Sequence, residues 1–161
     1  MDRISSDIVE KTWEKMGKMS PSKAPKMMNR MLKQQPIILN YLMASGDDIF
    51  NQEEREFLLY LGVVVWQIMS QGSTPIPEVS ENVLDEVENL NIKILEHLEE
   101  ESESGFIETV DEIMSRYNQT EVLRYVLEAI VEEAKEGNLI RDEMTGVIFL
   151  HLKTVIDCFD R

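Results

Sequence analysis

Gln35-Pro-Ile-Ile-Leu39-Asn-Tyr41 and Gly62-Val-Val-Val-Trp66-Gln-Ile68 return 84 residues later as Gln119-Thr-Glu-Val-Leu123-Arg-Tyr125 and Gly146-Val-Ile-Phe-Leu150-His-Leu152. Five of the fourteen paired positions are identical, and most of the others exchange one apolar residue for another. Working outward towards the amino terminus, the offset becomes 86. Ile4, Ile8, Val9 and Thr12 map onto Leu90, Ile94, Leu95 and Leu98, and Ala24, Met27, Met28 and Met31 onto Val110, Ile113, Met114 and Tyr117. Amphipathic helices resemble one another through their periodicity alone, but periodicity does not require two glycines to keep one offset. Self-similarity of this kind sets architecture before any local pattern does. The expectation is a single domain over residues 1–161 built from two repeats, about 1–78 and 79–161.

The fold class expected is all-α, with seven to eight helices in two similar halves packed around two central apolar helices. No stretch alternates with period two between turn signals, and β-branched residues are scattered among Glu, Leu, Met and Lys. Helices are placed near 5–18, 21–34, 36–44, 52–71, 80–101, 105–117, 119–136 and 142–159. Asn51 with Glu54, and Asn118 with Glu121, have capping-box spacing, and Ser80 can cap while Val79 and Leu84 staple the turn. Pro21 suits a first helical turn, and Gly72 and Gly137 stand where a left-handed closing residue is wanted.

The helices at 52–71 and 142–159 are apolar on most sides, so other elements should cover them. Each holds a glycine at the matching position, Gly62 and Gly146. A glycine inside a helix costs about 1 kcal/mol relative to alanine, so a paired occurrence points to close approach of a neighbour. Gly72-Ser-Thr-Pro-Ile-Pro-Glu78 reads as the joint between halves. Glu99-Glu-Glu-Ser-Glu-Ser-Gly105 reads as a solvated acidic corner.

A chain of 161 residues with 43% hydrophobic and 29% charged residues is of globular composition. Its longest apolar run, Phe57 to Trp66, falls short of the roughly 20 residues a membrane span needs. No signal peptide is recognisable, and the lone Cys158 cannot form an internal disulfide, so a cytoplasmic location is expected. Charge is unevenly divided. Residues 1–40 hold eight Lys/Arg against four Asp/Glu, whereas the other 121 hold eight against twenty-seven. Net charges of +4 and −19 follow. So acidic a body repels nucleic acid and anionic membrane surfaces, which disfavours both as partners.

Catalytic constellations are missing from the sequence. His97 and His151 follow Ile94 and Ile148 by three residues, so the Glu-x-x-His element of di-iron bundles is not there. Paired Cys-x-x-Cys, phosphate-cradling glycine loops and a Gly-x-Ser-x-Gly elbow are likewise absent. Asp47, Asp48 and Asn51 begin like a calcium loop but do not continue as one. No enzyme, cofactor or metal is therefore expected, and Cys158 reads as an inert thiol.

The segment from 11 to 33 is different. Lys11, Lys15 and Lys18 share one helix face, and Lys23, Lys26, Arg30 and Lys33 share another. Six of the ten methionines lie between Met16 and Met43, on the apolar side of the same region. Methionine-rich surfaces adapt to varied partners. These seven cations are the candidate interaction surface. The expected function is a protein-interaction or regulatory module, non-catalytic, working through helix faces on a protein partner or on a second copy of itself as a homodimer. The alternative is a small-molecule-binding protein or enzyme with a pocket between the two halves. A nucleic-acid binder using the basic hairpin alone ranks third.

Overall fold

Ser5, Asn51 and Ser80 each start a helix with a side-chain oxygen. Ser5 Oγ accepts from the Ile8 amide at 3.4 Å, and Ser80 Oγ from the Val83 amide at 3.3 Å. Asn51 forms the full reciprocal box. Its Oδ1 accepts from the Glu54 amide at 2.8 Å, while Glu54 Oε1 accepts from the Asn51 amide at 2.9 Å. Each bond satisfies an orphan donor of a first helical turn.

The computed structural model describes residues 1–44, 48–99, 103–137 and 139–161, the side chains of Glu99, Glu103 and Phe106 apart. Among them the fold is all-helical, without strands. Eight α-helices follow in order: α1 (Ser6–Gly17), α2 (Ala24–Gln34), α3 (Pro36–Ala44), α4 (Gln52–Met69), α5 (Glu81–Glu99), α6 (Glu103–Arg116), α7 (Thr120–Glu132) and α8 (Thr145–Phe159). A 3-10 turn at Pro21–Lys23 leads into α2, and another at Asp142–Met144 leads into α8. The middle of the acidic corner (residues 100–102) and Asp47 of the incipient calcium loop lie outside the described residues.

Two terminus expectations fail. Asn118 makes no capping box with Glu121; Gln119 occupies the cap position, and the Asn118 amide donates instead to Met1 O and the Asp160 carboxylate. Neither Gly72 nor Gly137 is left-handed. The chain leaves α4 through turns in which the Gln71 and Gly72 amides donate to Ile68 and Met69. It leaves α7 through a wider π turn over Glu133–Gly137.

Helix α8 packs against α4, α5 and α7, while α4 also meets α1, α2, α3 and α7. Their largest fully buried side chains are Trp66, Phe149 and Phe159. Each such side chain contributes roughly 1.5–3 kcal/mol by leaving water. Gly62 is explained by α3. A Cβ there would lie 2.7 Å from Leu42 Cδ2 and 3.1 Å from Cγ, and Leu42 is itself buried. Among the described residues, no helix is long and apolar enough to cross a membrane.

Candidate functional site

Helices α1 and α2 both contact α4, and between them is an open groove of about 990 Å³. Lys11, Lys15 and Lys18 follow one wall; Lys23, Lys26 and Arg30 follow the other. Each set spans seven residue steps, roughly 10 Å of helix at 1.5 Å per residue. The structure thus brings together six of the seven cations singled out from sequence. Lys33, in the last turn of α2, is exposed but does not line the groove.

The floor is apolar with polar edges. Met16 is buried, Met19 and Met27 are half-buried, and Gln67 of α4 and Gln71 of the following turn complete the lining. Arg30 stands over the buried Trp66 ring with Cζ 5.9 Å from its centroid. That cation–π contact fixes one guanidinium at the groove edge. The buried Gln67 Nε2 has no hydrogen-bond partner among the described residues. Among the described residues, Glu14 is the only acidic one lining the groove, and none of the seven cations is ion-paired. The lysines therefore do not fasten this surface to the acidic body of their own chain.

The opposite side of α1 faces α7 across a second cleft, of about 390 Å³. Trp13 is 50% exposed here, in contrast to 1% for Trp66. Glu10, Glu128 and Glu132 surround it, whereas Glu121 is held at 2.6 Å by Arg124. The Tyr125 hydroxyl is buried here without a partner among the described residues, and burial pushes its pKa above the ordinary tyrosine range.

A third feature escaped the sequence reading. Lys153 is buried in α8, donating to Asn91 Oδ1 at 2.9 Å and Asp157 Oδ2 at 2.8 Å. Asn91 donates in turn to Thr154 Oγ1 and Asp157 Oδ2, and Tyr117 Oη donates to Asp157 Oδ1. Burial, then the neighbouring Asp157 charge, raises the Tyr117 pKa and keeps the phenol protonated. The visible signal was a Lys–Asp pair four apart within an otherwise apolar helix. Beside this network, a 210 Å³ cavity lies between α3, α5 and α8, with His151 on its wall. His151 stacks on Tyr41 and packs edge-on to Phe50, and its Nδ1 is 2.7 Å from Val147 O. Burial lowers its pKa, favouring the neutral ring. Cys158 is buried, and loss of hydration pushes its thiol up to about 12, leaving little thiolate at neutral pH.

No protein-family model, curated protein or solved structure matches the chain.

Proposed function

We propose that this chain is a non-catalytic, cytoplasmic protein-interaction module whose groove between α1 and α2 docks an acidic segment of a protein partner. The observation that carries this reading is the row of six cations along two walls of one methionine-floored groove, with no ion pair to their own chain among the described residues. Six like charges offset in the groove lining by Glu14 alone among the described residues repel one another, so a ligand that neutralises them gains free energy that the free protein lacks. Methionine side chains adapt to apolar groups of different shape beneath those charges. A helix with an apolar stripe between acidic flanks meets both requirements.

Fluorescence anisotropy tests this with a labelled amphipathic Glu/Leu helix, its Lys/Leu counterpart and a single-stranded oligonucleotide. The acidic peptide should bind, weaken at least tenfold when Lys15, Lys18, Lys26 and Arg30 become Gln, and weaken as salt rises. Tighter binding of the oligonucleotide than of the acidic peptide would replace the protein partner with nucleic acid.

The same reading includes an internal duplication around α4 and α8 as central helices. Two glutamine clamps favour it. Gln35 donates to Pro77 O at 2.9 Å and accepts from the Val79 amide at 3.0 Å. Gln119 donates to Asp2 O at 2.9 Å and accepts from the Ile4 amide at 2.9 Å. The glutamine that opens each repeated block thus holds the two residues leading into the other half's first helix. Ile4-Ser5 and Val79-Ser80 then match as a buried aliphatic residue followed by a capping serine, an offset of 75 rather than 86. Leu90, paired with Ile4 by the offset of 86, is 60% exposed whereas Ile4 is 3% exposed.

A pocket between the halves is the second reading, favoured by the cavity beside His151 and the Lys153 network. It ranks lower because 210 Å³ is small against the roughly 300–1,000 Å³ of ligand pockets, and because the network's polar groups bond to one another.

A further inference from the structure

We infer that the acidic segment received by the groove is carried by a second copy of this chain: the exposed rim of the α1–α7 cleft around Trp13, hereafter the ridge. This rests on the groove reading above and names its occupant. The two surfaces are chemical complements. The groove sets cations around methionines; the ridge sets Glu10, Glu128 and Glu132 around a half-exposed tryptophan. None of these three carboxylates is ion-paired among the described residues. Trp13 supplies the apolar anchor. In this contact its ring lies on the half-buried thioethers of Met19 and Met27, where sulfur–aromatic contact is favourable. Glu10, Glu128 and Glu132 then reach the lysine walls.

Geometry makes the contact head-to-tail. On α1 the direction of Glu10 and Trp13 is roughly 140° from that of Lys11, Lys15 and Lys18, at 100° per residue. One copy can therefore offer its ridge while its groove stays open to the next. The contact is heterologous, two unlike patches, and a single neutralised patch blocks only one side of a molecule.

Net charge of −15 opposes association at long range. At 0.15 M salt the Debye length is about 8 Å, so distant charge is screened while contacting charges are not. At 1 M, where the screening length is about 3 Å, the contacting pairs weaken too.

Sedimentation equilibrium of the full chain, from micromolar to millimolar at 0.15 M salt, is the test. Three proteins are compared: the parent, a groove variant (Lys15→Gln, Lys18→Gln, Lys26→Gln, Arg30→Gln) and a ridge variant (Glu10→Gln, Glu128→Gln, Glu132→Gln). Trp13→Ala is a fourth, which removes the anchor and leaves the charges. The parent should rise above monomer mass with concentration and fall back at 1 M salt. Each variant alone should associate at least tenfold more weakly, with a circular dichroism spectrum like the parent's. An equimolar mixture of groove and ridge variants should recover a one-to-one dimer and go no further, since only one intact groove and one intact ridge remain per pair. A monomeric parent, or a mixture that stays monomeric, overturns the inference. If such a parent still binds the acidic Glu/Leu helix, only the second-copy occupant is lost; if it binds neither, the groove reading falls as well.

Discussion

Replacing Glu54 by Ala should destabilise the protein by about 3 kcal/mol at neutral pH. The carboxylate is fully enclosed and accepts four N–H bonds: from the Asn51 amide, and from the amide, Nε and Nη2 of Arg141 at 2.8–3.1 Å. It therefore closes the first turn of α4 and anchors the chain entering α8. The Arg141 side chain is 44% exposed and can return its guanidinium to water; the two backbone amides cannot move so freely. Orphaning a buried donor costs roughly 1–3 kcal/mol, so two of them, with the lost capping box, give the stated magnitude. In a chain of this length each kcal/mol lowers Tm by roughly 2–4 °C, so Glu54→Ala should melt about 6–12 °C below the parent. Glu54→Gln keeps one acceptor oxygen and should fall between the two. Burial pushes the Glu54 carboxyl up, but the Arg141 and Asn51 hydrogen bonds outweigh it and leave its pKa below the usual glutamate range. A depressed folded pKa stabilises above the unfolded value, near 4.5, and that stability is lost as pH falls through the folded pKa. The gap between parent and Glu54→Ala should be full at pH 6–7 and shrink as pH falls well below 4.5. Calorimetric scans from pH 7 to 3 measure this. A gap under about 0.5 kcal/mol at pH 7, the usual size for an unremarkable surface change, would refute the anchoring role. A gap that does not shrink with acid would show that the side chain's charge is not what matters.

Gly62→Leu should destabilise by about 1–3 kcal/mol through overpacking against Leu42; denaturant melts at or above the parent's midpoint would remove the close-approach argument. Gln35→Met and Gln119→Met should each remove hydrogen-exchange protection locally, at the Val79 amide in the first and at Ile4 in the second. Protection retained at both would show that the clamps do not hold these segments. Lys153→Met should cost about 3–5 kcal/mol, the usual penalty for breaking a buried pair, because Asp157 keeps its charge without the ammonium; urea unfolding measures it, and a neutral result would make the network dispensable. Iodide should quench Trp13 strongly and Trp66 hardly at all in single-tryptophan variants, given exposures of 50% and 1%; equal quenching would contradict the packing of α4.

Sequence alone determined the helices, because their information is local. Periodicity placed all eight within a few residues, the 142–159 stretch losing only its first turn to 3-10 geometry. Capping chemistry placed Asn51 and Ser80 correctly, since such a bond spans only three residues. The lysines of α1 and α2 were legible as two faces for the same reason. Tertiary structure decided what periodicity cannot carry. That the two cationic faces border one groove depends on α1 and α2 both packing on α4. Gln35 and Gln119 read merely as repeat markers, yet each clamps an extended segment more than forty residues away. Asn118 had capping spacing but was drawn off by Met1 and Asp160, which only the fold brings near. Glu54 had a local role in the sequence and gained its second, to Arg141, through chain crossing 87 residues apart. Local rules fix which groups a segment offers; a buried donor or acceptor takes whichever partner the packed chain puts within about 3 Å, and that choice belongs to the whole fold.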